Sequence, residues 1–76
     1  MLKLPVISGK DLVKIFAKID YDFDHQTGSH IILRRADPPY RRLTIPNHKE
    51  IHKGTLRGII TQAGLTREEF LNLCDL

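Results

Sequence analysis

The spacing of apolar residues changes along this 76-residue chain, and each change predicts a different element. After the N-cap candidate Ser8, with Asp11 three residues further on, the spacing becomes helical. Lysines occupy the opposite side of this run, whose apolar residues are Leu12, Ile15, Phe16 and Ile19. The pattern therefore predicts an amphipathic helix over about residues 9–18.

A period of two replaces the helical period in the middle of the chain. Residues 21–26 predict a half-buried strand, with one face formed by Tyr21, Phe23 and His25. After a turn at Thr27-Gly28, residues 30–35 predict a second strand with Ile31 and Leu33 on one face. His30, Ile32 and Arg34 then occupy its other face.

A third strand is predicted over residues 41–45, after a loop that contains Pro38 and Pro39. Helical spacing returns over residues 53–63, and Gly64 provides a stop. Thr66 and Glu69 form a capping box for a last short helix, and Leu65 and Phe70 fall at the positions of a hydrophobic staple.

This order of elements indicates the α+β class. Three consecutive strands with short connections form an antiparallel meander, and helices on one face would bury it. We therefore expect one domain over residues 1–76, with the helix–three strands–helix arrangement of double-stranded RNA-binding domains and a short C-terminal helix. A fold analogy alone does not identify RNA as the partner.

The net charge of +3 is concentrated in the middle of the chain. Residues 28–57 carry seven cations against Asp37 and Glu50, a local charge of +5, and the cations are Arg34, Arg35, Arg41, Arg42, Lys49, Lys53 and Arg57. Such a stretch favours a polyanionic partner. Ordinary solvated strand faces are the alternative interpretation.

Composition narrows the setting of the protein. No apolar run approaches the ~20 residues that a membrane-spanning helix needs, so no membrane partner is expected. Met1 to Pro5 is too short and interrupted for a signal peptide. Cys74 is the single cysteine, which favours a reducing, cytoplasmic setting.

Histidines are the candidate chemical groups, because their ordinary pKa lies near neutrality. His30 follows the turn residues Gly28 and Ser29, and beside arginines it suits proton transfer at a phosphate ester. Its alternative role is a half-buried strand histidine bonded to a backbone carbonyl. His48 lies in a loop that could fold back beside the sheet and supply a second proton transfer, or it is an exposed loop residue.

The remaining candidates have weaker support. His48 and His52 have the i, i+4 spacing of metal ligands, but no third ligand is near, so neither a metal nor another cofactor is expected. His25 is expected to be structural, because it shares a predicted face with Tyr21 and Phe23. Tyr40 could stack on a base or simply cover its loop.

Four blocks of the sequence resemble the HicA family of small toxins, which are ribonucleases paired with HicB antitoxins. The resemblance covers about residues 7–70. Its blocks are Ile7-Ser8-Gly9-Lys10-Asp11-Leu12, Gly28-Ser29-His30, Ile45-Pro46-Asn47-His48, and the run from Lys53 through Ile60 that continues to Phe70.

The resemblance implies a fold like a double-stranded RNA-binding domain, metal-independent cleavage of mRNA, and inhibition by a HicB-like antitoxin. It implies that His30 is the catalytic histidine. Two departures bear on RNA affinity near this residue. Thr27 stands at a position that is often basic in the family, and Asp24-His25 replaces a stretch that tends to be less acidic.

Phosphate contacts are expected from the turn, the strands and the second helix. Strand alternation turns one arginine of each adjacent pair away from the helices. The predicted RNA-binding residues are Gly28, Ser29, Arg34, Arg35, Arg41, Arg42, Lys53 and Arg57. Two other functions remain open, a non-catalytic RNA-binding module and a surface that binds an acidic protein partner.

Overall fold

The computed structural model describes residues 3–74 and confirms the predicted order of elements. Three helices and three strands follow one another as α1 Gly9–Ala17, β1 Tyr21–Thr27, β2 His30–Arg35, β3 Arg42–Pro46, α2 Lys53–Gln62 and α3 Arg67–Leu73. The strands form one antiparallel sheet in the order β1-β2-β3, so β2 is central. The α+β class and the layout of a double-stranded RNA-binding domain are confirmed.

Helices α1 and α2 pack on the sheet, and α3 packs against α2. Helix α1 packs against β1 and β3, and α2 packs against β3 and α3. The core between the two layers contains Leu33 and Leu43 from the sheet, both fully buried. Phe16 links the helices to this core, because its ring centroid lies 5.8 Å from that of Tyr21 and 6.0 Å from that of Phe70.

The predicted caps define where the helices begin. The Ser8 side chain accepts a hydrogen bond from the Asp11 backbone N–H at 3.1 Å, which satisfies one unpaired donor of the first turn. Thr66 and Glu69 form the reciprocal capping box of α3. Local sequence therefore specifies the N-termini of α1 and α3.

The predicted face of β1 is wrong beyond its first residues. A β-bulge interrupts the pairing of β1 with β2 between Phe23 and His25. Residue 24 is the extra residue, so the side chains after it exchange faces. Strict alternation assigned His25 to the helix-covered side, but Gln26 occupies that side instead. The side chain of Phe23, which was expected to be buried, is 59% exposed.

Within residues 3–74, no helix has the length and apolar character required to cross a membrane.

Candidate active site

The face of the sheet opposite the helices carries the candidate chemistry. We call this surface the open face. The register of the three strands places on it the residues Asp22, His25, Thr27, His30, Ile32, Arg34, Arg42, Thr44 and Pro46. Their neighbours Ile31, Leu33, Leu43 and Ile45 point into the core. None of the open-face residues is buried.

The hairpin turn between β1 and β2 positions His30. Gly28 has φ +56°, a conformation that side chains other than glycine rarely adopt, and with Ser29 it forms a two-residue connection. His30 is then the first residue of the central strand, paired with Thr27 on one side and Pro46 on the other. The imidazole is exposed on the open face.

The loop after β3 folds back against this turn. The Asn47 backbone N–H donates a hydrogen bond to the Ser29 carbonyl at 2.7 Å. One residue later, the backbone carbonyl of His48 accepts a hydrogen bond from the Gly9 N–H at 2.9 Å. The start of α1, the hairpin turn and His48 therefore meet at one end of the molecule, which we call the turn end.

Cationic side chains gather at the turn end. Lys10, Lys49 and His48 line a shallow groove of about 430 Å³ together with Ser8 and Asn47. Helix α2 begins nearby, because the Ile51 N–H donates to the Ile7 carbonyl at 2.9 Å and Lys53 follows two residues later. The structure thus brings His48 and Lys53 to the same end as His30.

The four predicted arginines divide between two surfaces, as strand alternation predicts. Arg34 and Arg42 are opposite each other on the open face. Arg35 lies on the other side with its guanidinium carbon 5.9 Å from the centroid of the Tyr21 ring. Arg41 reaches the end of α2, where its Nη1 lies 3.4 Å from the Gln62 carbonyl oxygen to which it donates.

This division limits which arginines can act with His30. Like charges placed directly opposite one another on a sheet destabilise it, so the Arg34–Arg42 pair is suited to receiving an anion. Arg35 and Arg41 pack against protein groups on the helix-covered side. Of the four arginines predicted to bind RNA, the structure therefore places Arg34 and Arg42 on the same face as His30.

Two further predicted residues lie elsewhere in the molecule. Arg57 lines a groove on the helical layer with Leu4, Ile60 and Leu65. Tyr40 lies in the loop beyond Arg35, at the other end of β2, and is 56% exposed. Because five residues of strand span about 17 Å, Tyr40 is remote from His30.

An ionic cluster beside the bulge is the feature that sequence reasoning missed. His25 lies on the open face, and its Nδ1 is 2.6 Å from Oδ2 of Asp24. The other carboxylate oxygen is 3.7 Å from Nε of Arg34, which is an ion pair too long for a hydrogen bond. This Nε is buried and has no hydrogen-bond partner among the described atoms.

The cluster keeps Asp24 ionised. The hydrogen bond from His25 is the largest influence and lowers the pKa of the carboxyl below its ordinary 3.8, with the charges of Arg34 and Arg42 adding to the effect. With Asp22, this carboxylate balances the two arginines of the open face. The remaining positive charge therefore belongs to the turn end.

In the part of the chain from residue 3 to residue 74, no three His, Cys, Asp or Glu side chains gather as a metal site would require. His48 and His52, the pair with metal-ligand spacing, have no third partner of this kind there.

Comparison with known proteins gives one family match. The model of a family described as the HicA toxin of bacterial toxin–antitoxin systems matches residues 9–65. No curated protein matches the chain. The matched stretch begins with α1 and ends just before α3, so it contains the whole sheet, the hairpin turn and the loop of His48.

Proposed function

Since the chain belongs to the HicA toxin family of toxin–antitoxin systems, we propose that it is a toxin that cleaves mRNA, with His30 as a general acid–base. Cleavage of mRNA would block translation and growth. Because its substrate is mRNA, we expect the protein to act in the cytoplasm.

RNA supplies its own nucleophile for this reaction. The 2′-hydroxyl attacks the adjacent phosphorus, the bond to the 5′ oxygen breaks, and the products are a 2′,3′-cyclic phosphate and a 5′-hydroxyl. The enzyme needs a group that accepts the hydroxyl proton, a group that protonates the leaving oxygen, and cations near the phosphate. None of these requirements demands a metal or another cofactor.

The observation that carries the proposal is the position of His30. His30 is exposed and begins the central strand at the turn end of the molecule, where Lys10 and Lys49 also lie, and it shares a face with Arg34 and Arg42. No hydrogen bond ties the imidazole to another described residue. A phosphodiester that contacts both cationic groups would therefore pass over His30.

The neighbouring residues have supporting roles in this proposal. Gly28 keeps the turn tight and leaves open space where a side chain would stand, so a phosphate can approach the backbone. Ser29 is available to donate to a phosphate oxygen. Arg42 would contact the phosphate beside Arg34, whose charge Asp24 partly offsets, while Lys53 would hold the flanking strand from the start of α2.

His48 is retained as an alternative second proton-transfer group. Its backbone is held at the turn end, and its side chain lines the groove with Lys10 and Lys49. Arg57 would contact RNA only at a distance from His30, because it lies on the helical layer.

A non-catalytic RNA-binding module is the second candidate function. The basic residues favour it because they could bind RNA without catalysis, and the carboxylates of Asp22 and Asp24 lie close to the residues proposed to act on the phosphate. Such a module would bind RNA in a salt-dependent manner and yield no product.

An RNA cleavage assay in EDTA separates the two functions. The wild type should cleave a labelled mRNA, and His30→Ala should reduce the rate by about 10²- to 10⁴-fold, because a general acid–base contributes that much. His52→Ala is the matched control, since His52 is an exposed histidine whose side chain makes no capping hydrogen bond to α2. It should cleave like the wild type.

Two outcomes would contradict the proposal. Unchanged cleavage by a folded His30→Ala protein would remove His30 from the mechanism. Intact RNA with every variant, together with a mobility shift, would instead favour the RNA-binding module.

A further inference from the structure

The Asp24–His25 pair has the geometry of an oriented acid–base group. An ionised carboxylate can only accept hydrogen bonds, so the 2.6 Å contact assigns the proton to Nδ1 of His25. The other ring nitrogen, Nε2, is then the one left to exchange a proton with a substrate. A carboxylate that holds a histidine in this way fixes its tautomer and stabilises its protonated form.

The sheet register brings this histidine close to His30. His25 pairs with Ile32, and His30 lies two residues before Ile32 on the same face of β2. Such diagonal neighbours on a sheet have Cβ atoms about 7–8 Å apart or somewhat less, within reach of aromatic side chains. Two imidazoles at this separation can contact opposite sides of one phosphodiester group.

A purely structural role explains the pair poorly. The side chain of His25 is 53% exposed and that of Asp24 is 35% exposed. Ion pairs as exposed as this contribute little to stability. The bulge that creates the pair also turns His25 out of the helix-covered face, and bulges are frequent beside active sites, where they redirect a side chain.

We propose that His25 is the second catalytic residue of the RNA cleavage assigned above, and that Asp24 is its positioning residue. This inference rests on the proposed function. His30 accepts the proton of the 2′-hydroxyl as the bond from the 2′ oxygen to phosphorus forms. His25 donates its Nε2 proton to the 5′ oxygen as the bond from phosphorus to that oxygen breaks.

The roles follow from the different surroundings of the two rings. The carboxylate of Asp24 holds the His25 ring through Nδ1, which suits a proton donor that is positioned to act through Nε2. His30 has no carboxylate bonded to it among the described residues, so its ring is available to accept the proton of the 2′-hydroxyl. Proton exchange with water then restores both histidines, while Arg42 contacts the phosphate.

Replacement of the leaving oxygen by sulfur provides a direct test. A thiolate leaves without being protonated, so a substrate with a 5′-bridging sulfur does not need a general acid. The experiment uses the full chain in EDTA and two short RNAs that contain a site mapped with the wild type, one with the natural oxygen and one with sulfur. The variants are His25→Ala, Asp24→Asn and His30→Ala, with His52→Ala as the matched control.

His25→Ala should slow cleavage of the oxygen substrate by about 10²- to 10⁴-fold and leave the sulfur substrate within about tenfold of the wild type. Asp24→Asn should show the same selectivity with a smaller loss, since it removes only the orientation and charge. His30→Ala should slow both substrates, and the His52→Ala control should behave like the wild type. Circular dichroism should show all variants folded.

The inference is overturned if His25→Ala cleaves the oxygen substrate as fast as the wild type. It is also overturned if His25→Ala slows both substrates equally, which is the signature of a binding residue. Wild-type protein that cleaves neither substrate would overturn the proposed function itself, and this inference with it.

Discussion

At the scale of single residues, one extra residue in β1 changes what its neighbours can do. Strict alternation places His25 with Tyr21 and Phe23, but the bulge at Asp24 moves it to the open face beside Arg34. A bulge depends on how two strands pair, so the sequence of β1 alone does not specify it. In the sequence, only the adjacency of Asp24 and His25 indicated that these two side chains could form an ion pair.

The positions of other site residues could be predicted from the sequence, because each depends only on residues close by in the chain. Gly28 provides the positive φ that a two-residue turn requires, and the turn determines where β2 begins. A period of two then assigns His30 and Arg34 to one face and Arg35 to the other.

At the scale of elements, helix starts were predictable, whereas the contact between α1 and β3 was not. Ser8 and Thr66 cap their helices through hydrogen bonds to residues three positions away. The close approach of Gly9 to the end of β3 joins residues far apart in the chain. A side chain at Gly9 would collide with the Pro46 carbonyl oxygen and come within 3.1 Å of the Asn47 Cα.

Gly9→Ala should therefore destabilise the protein. The added methyl group meets backbone atoms, which cannot move aside as a flexible side chain can, and overpacking of this kind costs about 1–3 kcal/mol. The displaced loop would also carry His48 away from the turn end. Chemical denaturation, followed by circular dichroism, measures the change in the free energy of unfolding.

Gly58→Ala is the matched control for this substitution. Gly58 lies inside α2 with open space where a side chain would stand, so alanine should stabilise the helix by roughly 0.5–1 kcal/mol. If Gly9→Ala were as stable as the wild type while Gly58→Ala showed this gain, the close packing of α1 on β3 would be wrong.

At the scale of the whole molecule, long-range contacts assemble the turn end. The bonds from Asn47 to Ser29 and from Gly9 to His48 bring together three segments that carry lysines and histidines. The sequence indicated that the loop of His48 could fold back, but the partners of its backbone groups became visible only in the tertiary structure. The acidic residues of β1 likewise make the open face less basic than the sequence suggested.

The toxin family implies an antitoxin partner, and the charge distribution suggests how a HicB-like antitoxin would bind. If the protein cleaves RNA as proposed, we expect the antitoxin to cover His30 and to contact the nearby cations. We expect acidic groups on the antitoxin to meet Arg42 and the lysines of the turn end. The association rate should then fall between about 0.1 M and 1 M salt, because screening shortens the range of these attractions.

Two variants make this prediction specific. Arg42→Gln should weaken the complex and reduce its dependence on salt, because Arg42 is exposed on the open face. Arg57→Gln is the control, since Arg57 lies on the helical layer. Surface plasmon resonance at the two salt concentrations measures both. Binding that is insensitive to salt, or equally weakened by the two variants, would place the antitoxin elsewhere.

We propose that this protein cleaves RNA by attack of the substrate's own 2′-hydroxyl, assisted by His30. Mass spectrometry of a short RNA cleaved by the wild type in EDTA identifies the chemical ends of the products. Attack by the 2′-hydroxyl leaves a 2′,3′-cyclic phosphate, or the 3′-phosphate that forms from it, and a 5′-hydroxyl. A 5′-phosphate with a 3′-hydroxyl would contradict it, because water would then have been the nucleophile.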